Sequence, residues 1–364
     1  MREAKKGGKT SRIPAPIRAA LAELGYSTLA ITLALAIGAV LIVAFGYDVG
    51  RALASLFQGS FGSVYALSQT VLRTTPLVFA GLAVAVPFRS GLFNIGAEGQ
   101  LYWGALATAL TALLFSSVAT PIAIALSLLA GAAAGGLWGS IPGALKARTG
   151  AHEVITSIML NAVAILATTH LTANYFKAPG AVDQTERIAE SAQIPGILGG
   201  EISAGLLIAL LAVAVMHLFF AKTSIGYDFR AVGLNAPAAE YGGVRSGGIQ
   251  VLALSIGGAM AGVAGGVVVL AQINRFVSAF SPGYGFTGIA VAVLGRGKPW
   301  GVLLAALLFG ALETGGMSMQ LFARIPSDLT TVVQGLVILL VAAPAMLRAL
   351  TAVRFGKRRN VGAF

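Results

Sequence analysis

The chain holds little that could make or break a covalent bond. Its three histidines, His152, His170 and His217, stand at the ends of three different apolar blocks. None has a second ligand at helical spacing, so no metal site is expected. There is no cysteine, hence no disulfide, thiolate metal site or thiol nucleophile. No phosphate-binding loop of the G-x-x-x-x-G-K-[ST] type occurs, so the chain is not expected to hydrolyse ATP itself, and no catalytic residue is assigned. The residues with chemistry to offer are polar groups set inside apolar blocks. Asn94, Glu98 and Gln100 share the run Asn94-Ile-Gly-Ala-Glu-Gly-Gln100, Glu153 and Asn161 lie in HEVITSIMLN, and Glu313 lies in GALETGG. A carboxylate near mid-bilayer costs about 2.5–3.5 kcal/mol on insertion scales, so it faces protein or a water-filled cavity. Two readings stay open: each carboxylate pairs with a neighbouring Arg or backbone donor and fixes packing, or the set gives a solute a hydrophilic lining.

A second kind of chemistry is recognition of another protein. The run Lys222 to Gly248, KTSIGYDFRAVGLNAPAAEYGGVRSGG, is the longest inner loop. Asn235 can cap a helix, Pro237 fits its first turn, and Gly242-Gly243 can end it. The spacing predicts a six-residue helix, Ala236–Tyr241, held between two spans. Such a helix suits a partner's groove; an ordinary surface turn is the plainer alternative.

These residues need elements to hold them, and composition says what kind. Of 364 residues, 57% are hydrophobic and 10% charged, with mean hydropathy +0.84. A soluble domain would carry about a quarter charged residues, so most of this chain avoids water. The net charge of +12 could suggest nucleic acid. The charges instead gather in the tails and in alternate loops, as a membrane orientation signal does. The expected class is all-α, a polytopic membrane protein of about ten transmembrane helices near 26–45, 66–88, 94–115, 120–144, 153–172, 203–221, 250–271, 285–296, 300–317 and 329–347. The uncharged run Tyr26–Phe45 is longer than a cleavable signal core and reads as a retained helix. The eighth helix is too short to span and is expected to be broken or re-entrant. With the N-terminus inside, nineteen basic residues fall on the cytoplasmic side and five outside, Arg73 being left within the second helix. That asymmetry predicts both termini in the cytoplasm. The domain plan is a basic tail over 1–25, one transmembrane domain over 26–347 with an outer loop at 173–201 and a cytoplasmic loop at 222–248, and a second basic tail over 348–364. Gly131, Gly135 and Gly139, and Gly258, Gly262 and Gly266, have the small-xxx-small spacing of closely packed membrane helices. A weak echo between Gly91–Leu113 and Gly283–Leu312 is compatible with an inverted repeat.

Four ordered segments carry a family resemblance that spans most of residues 70–320. GLFNIGAEGQLYWGALATA at 91–109 resembles the signature of nucleoside-type ABC permeases, within the group that includes ribose and branched-chain amino-acid permeases. TGAHEVITSIMLN at 149–161, FRAVGLNAPAAEYGGV at 229–244 and GYGFTGIAVAVLGRGKPWG at 283–301 are similar to further stretches of that family, the second of these three to its coupling loop. His152 departs from the pattern, which more often has Asn there. The resemblance implies a non-catalytic permease subunit of an ATP-driven importer, with purine nucleosides as the expected solute, in a bacterial inner membrane. It implies a separate ATP-binding subunit carrying ATP and Mg, a second related permease subunit, and an extracytoplasmic solute-binding lipoprotein. On this reading Arg230, Asn235, Pro237, Ala238, Glu240, Tyr241 and Gly242 form the ATPase-coupling surface, and Asn94, Glu98, Gln100, Glu153, Asn161 and Glu313 the translocation pathway. An ABC permease for a simple sugar or other small polar solute, and a secondary transporter, are the alternatives.

Overall fold

A computed structural model describes residues 32–33, 36–197 and 202–342. The tails at 1–25 and 348–364, parts of the expected first and last helices, and residues 198–201 of the outer loop lie outside the described residues. The chain divides into two compact units, one over Gly50–Ser327 and one combining 1–49 with 328–364. The second shows helix at 36–44 (α1) and most of α13, Ser327–Ala342.

The unit over Gly50–Ser327 is a helical bundle. Its elements are α2 (Val49–Phe61), α3 (Val64–Phe88), α4 (Ala97–Leu114), α5 (Thr120–Thr149), α6 (Glu153–Tyr175), α7 (Gly205–Lys222), α8 (Ser224–Leu234), α9 (Ala236–Tyr241), α10 (Ser246–Val268), α11 (Tyr284–Leu294) and α12 (Pro299–Phe322). Six helices among the described residues are long and apolar enough to cross a bilayer: α3, α5, α6, α7, α10 with its π-helical extension to Ile273, and α12. The chain is therefore a multi-pass membrane protein. α4 has 18 residues but opens on Glu98 and Gln100, which lowers its hydropathy. α11 has 11 residues, the short element expected at 285–296.

The frame is a glycine-lined crossing of α4, α5 and α10. A Cβ on Gly135 would fall on the Gly258 carbonyl, one on Gly262 on the Gly131 carbonyl, and one on Gly104 on the Gly262 backbone. Backbones that close leave no room for side chains, and dispersion between them replaces the hydrophobic drive that lipid does not supply. The small-residue spacing in the sequence thus has a steric cause.

Three elements go beyond the sequence reading. α2 forms from VGRALASLFQGSF, where no helix is expected. α8 fills the first half of what reads as a loop, capped by Thr223, whose Oγ1 accepts from the Gly226 N–H at 3.0 Å. The segment after α6 is not a free loop either. The Thr185, Ile188 and Ile194 N–H groups donate to the Phe276, Asn274 and Leu270 carbonyls, so the segment is stitched along the α10–α11 connection.

Candidate functional site

Asn94, Gln100 and Asn161 converge on the tight turn between α3 and α4, and all three are buried. Asn94 Nδ2 donates to the Ala83 carbonyl at 3.1 Å and to Gln100 Oε1 at 2.9 Å, while its Oδ1 accepts from the Gly96 N–H at 3.1 Å and from Gln100 Nε2 at 3.1 Å. Asn161 reaches across from α6, accepting from the Gly99 N–H at 2.8 Å and donating to the Ile95 carbonyl at 2.8 Å. Every bond here satisfies a backbone or amide group that the turn would otherwise strand away from water, at about 1–3 kcal/mol each. The Asn-Ile-Gly-Ala-Glu-Gly-Gln run is, at this level, a folded turn.

Glu98 serves the start of α11. It is 3% exposed, and its Oε2 accepts from the Gly285 N–H at 2.7 Å. Ser281 Oγ accepts from the Gly283 and Tyr284 N–H groups, both at 3.1 Å. Two donors of the first turn of α11 are thereby met by side chains, the Tyr284 N–H by a hydroxyl and the Gly285 N–H by a carboxyl group, where the helix dipole favours an acceptor of negative charge. Gly285 is dictated by the approach: a Cβ there would overlap the Glu98 backbone. Glu153 opens α6 and accepts from Lys146 of α5 at 2.7 Å, with His152 Nδ1 at 3.9 Å.

Glu313 sits differently. Its Oε1 meets Arg73 Nη1 at 2.5 Å, joining mid-α12 to mid-α3, and the side chains remain 28% and 21% exposed. Arg73 Nη2 also approaches Met317 Sδ at 2.9 Å. Arg73 stands alone as a charge inside its apolar block, and that isolation, set beside an isolated carboxylate in another block, was the signal in the sequence for this pair. Arg73 lines a cavity of about 660 Å³ between α2, α3 and α12, together with Gln58, Tyr65, Gln69, Thr314 and Phe322, and Glu313 stands behind it. A second cavity of about 370 Å³ shares Tyr65 and Gln69 and runs toward Ile194, Gly196 and Ser203. Ser60 fixes the walls: its Oγ donates to the Ala311 carbonyl at 2.6 Å, and its carbonyl accepts from Thr70 Oγ1 at 2.9 Å. Tyr284 is within charge range of Glu313, Arg73 and Glu98, so the two carboxylate sites are electrostatic neighbours.

The sequence-expected helix at 236–241 forms with those bounds. Asn235 Oδ1 accepts from the Ala238 N–H at 3.0 Å, Pro237 lies in the first turn, and Ala239 is the buried contact. Tyr241 is 96% exposed. Glu240 is engaged within the chain, accepting from Ser246 Oγ. Arg230 is exposed on α8, and α8 is the longer of the two helices in this loop. At the same end of the bundle, the Arg89 Nε donates to the Gly297 carbonyl at 3.0 Å and its guanidinium lies over the Phe220 ring.

A short helix among long apolar ones, buried polar turns and a cavity lined in part by Arg73 fit a membrane-embedded subunit. The family described as branched-chain amino acid transport system / permease component matches residues 66–342, and the chain belongs to it. It is a non-catalytic permease subunit of an ABC transporter. The chain is 38% identical over 350 residues to the guanosine ABC transporter permease protein NupP of Bacillus subtilis (strain 168), covering 94% of this chain and 99% of the relative. It is 35% identical over 360 residues to the glucose ABC transporter permease protein TsgB13 of Haloferax volcanii, covering 95% and 94%. It is 34% identical over 325 residues to the nucleoside ABC transporter permease protein NupB of Lactococcus lactis subsp. cremoris, covering 86% and 89%.

Proposed function

We propose that this chain provides half of the translocation pathway of a nucleoside importer, purine nucleosides being the preferred solutes, in a bacterial inner membrane. Two of the three relatives above are named for guanosine or nucleosides. The observation that carries the choice of solute is the cavity at Arg73. Tyr65 and Phe322 offer two aromatic rings there, among the amides of Gln58 and Gln69 and the hydroxyls of Ser55, Ser63, Thr314 and Ser318. Rings suit a flat base and amides suit its edges. The glucose-named relative keeps a simple sugar as the second reading. Glu313 acts on this pathway through its ion pair with Arg73, which lines the cavity. Asn94, Glu98, Gln100, Glu153 and Asn161 act on it by holding the turns and helix starts around it.

The remaining parts follow the same reading. The transmembrane domain spans 26–347 in about ten helices between the basic tails 1–25 and 348–364, both in the cytoplasm. Loop 173–201 faces outside, where a solute-binding lipoprotein docks, and loop 222–248 faces inside. An ATP-binding subunit, carrying ATP and Mg, docks on α9 and its flanks through Asn235, Pro237, Ala238, Glu240, Tyr241 and Gly242, with Arg230 contributed by α8. A second, related permease subunit closes the open side of the cavity, where Tyr65, Leu321 and Phe322 are exposed. Clustering of Arg89, Phe220 and Gly297 at one end of the bundle supports this orientation, because it gathers the basic turns on a single side.

Uptake of labelled guanosine by the assembled complex tests the solute. Unlabelled adenosine should compete and glucose should not; the reverse pattern would establish the sugar reading instead. With no native cysteine, Ala181→Cys and Ala238→Cys test the sidedness. An impermeant thiol reagent on intact cells should modify Ala181→Cys only, and modification of Ala238→Cys alone would invert the topology.

A further inference from the structure

α3 carries two prolines within its length, Pro76 and Pro87. Each lacks the N–H that would bond the carbonyl one turn back, so the carbonyls of Leu72 and Ala83 lose their helical donors. Inside a bilayer such a carbonyl has to be met by protein. Both are met by a side-chain amide. Asn94 Nδ2 donates to the Ala83 carbonyl at 3.1 Å, and Gln272 Nε2 donates to the Leu72 carbonyl at 3.0 Å. Asn94 is fully buried in the turn that follows α3. Gln272 is half-buried, and Leu72 and Ala271 line the cavity of about 370 Å³ beside it.

The stretches of α3 on either side of Pro76 differ. Every residue from Thr74 to Pro87 is buried, whereas the preceding arm brings Tyr65, Gln69 and Arg73 to the cavity wall. Thr74 and Thr75 turn their hydroxyls back onto the Thr70 and Val71 carbonyls, at 2.7 and 2.8 Å, a pattern that bends helices. The carbonyls of Thr70, Val71 and Leu72 are thus each bonded by a side chain. Gln272 itself stands in the π-helical turn Val269–Ile273, closed by the Asn274 N–H on the Val269 carbonyl at 2.9 Å. Single π turns inside α-helices recur at functional sites.

We propose that Gln272 is a positioning residue for transport: its amide replaces the helical bond missing at Pro76 and holds the arm of α3 that bears Gln69 and Arg73 in place at the cavity wall. Glu313 holds the Arg73 side chain, and Gln272 holds the backbone one residue before it. Without that bond the arm pivots at Pro76, where a helix kinks most readily. The Asn94 bond has no such lever, because α3 is buried on both sides of Ala83. The proposal rests on the reading that the Arg73 cavity belongs to the solute pathway.

The test uses the whole assembled transporter. Gln272→Leu and Gln272→Met remove the donor while keeping a side chain of similar size, and the second gives a reading if the first does not assemble. Each should lower uptake of labelled guanosine by about fivefold, the low end of what a stranded carbonyl costs when expressed as an equilibrium. Pro76→Ala restores the missing N–H, so on that background the same substitutions should change uptake by less than about twofold. Their effect should also shrink on an Arg73→Gln background, because Gln272 acts through the arm that bears Arg73. A merely structural role would give the same loss on all three backgrounds, and that result would overturn the proposal. With no native cysteine, Gln69→Cys reports the arm without transport. Its rate of modification by a thiol reagent should change in Gln272→Leu and return when Pro76→Ala is added. Unchanged labelling would overturn the proposal whatever uptake does. Labelling that shifts while uptake stays at the wild-type value would uphold the clamp and take the Arg73 cavity out of the pathway, overturning the reading on which its transport role rests.

Discussion

Glu98 and Glu313 are the same residue type in similarly apolar blocks, and the structure treats them differently. Glu98 is closed off and spends its charge on the backbone N–H of Gly285, at the head of a short helix. Glu313 is partly open and spends its charge on a side chain, Arg73, at the wall of a cavity. A carboxylate bonded to backbone in a closed site fixes geometry, and its charge is one way among several of accepting a hydrogen bond. A carboxylate paired to a cation beside open volume sets the local field that a passing solute meets, so there the charge itself matters. The same contrast recurs on α9, where Glu240 is bound to Ser246 and Tyr241 projects freely.

The largest effect should come from the freest side chain. Tyr241→Ala is expected to weaken retention of the ATPase subunit by about thirtyfold, which corresponds to a hot-spot loss of about 2 kcal/mol. Glu240→Gln should cost far less, because an amide oxygen can still accept from Ser246. Pull-down of the ATPase with each variant measures both, and a ranking in which Glu240→Gln exceeds Tyr241→Ala would end the distinction between free and engaged groups on this helix.

The Arg73–Glu313 pair comes next. Removing one partner leaves the other charge partly desolvated, so Arg73→Gln and Glu313→Gln should each lower uptake by about tenfold with normal membrane insertion. The pair is partly exposed, which limits its worth to stability and places the expected effect on transport rather than on folding. The exchanged pair Arg73→Glu with Glu313→Arg should recover part of the loss. No recovery, together with a lowered melting temperature in both single variants, would return Glu313 to the class of Glu98.

The sequence made the lipid-facing scaffold readable because length and hydropathy are local properties. Six of the expected spans are recovered as long apolar helices, and the six-residue helix Ala236–Tyr241 returns with its bounds because Asn235, Pro237 and Gly242 act on their own neighbours. What it hid was long-range. α8 begins on Thr223, a cap as ordinary as Asn235, but its few apolar positions look like loop until Phe229 and Val232 are seen buried. α2 is stabilised by contacts that no local pattern announces, Ser60 to Ala311 and Gly59 against Ser318. For the candidate site, the sequence singled out Glu98 and Glu313 together, and only their partners, 187 and 240 residues away in the chain, separate them.

The smallest predicted effect is the one that tests the comparison most sharply. Glu98→Gln keeps the length of the side chain and a carbonyl oxygen that can accept from the Gly285 N–H. It gives up only the charge and its attraction to the start of α11, worth about 0.3–1 kcal/mol at a helix N-terminus. Guanosine uptake by the assembled Glu98→Gln complex should therefore stay within about twofold of the wild type, while Glu98→Ala strands a buried N–H at about 1–3 kcal/mol and lowers the melting temperature. The neighbouring Tyr284 would feel the lost charge in either variant, so an effect of the field alone would strike both equally. If Glu98→Gln loses uptake as severely as Glu313→Gln while keeping the thermal stability of the wild type, the charge of Glu98 belongs to the pathway, and closure from solvent is no guide to which buried carboxylates a solute feels.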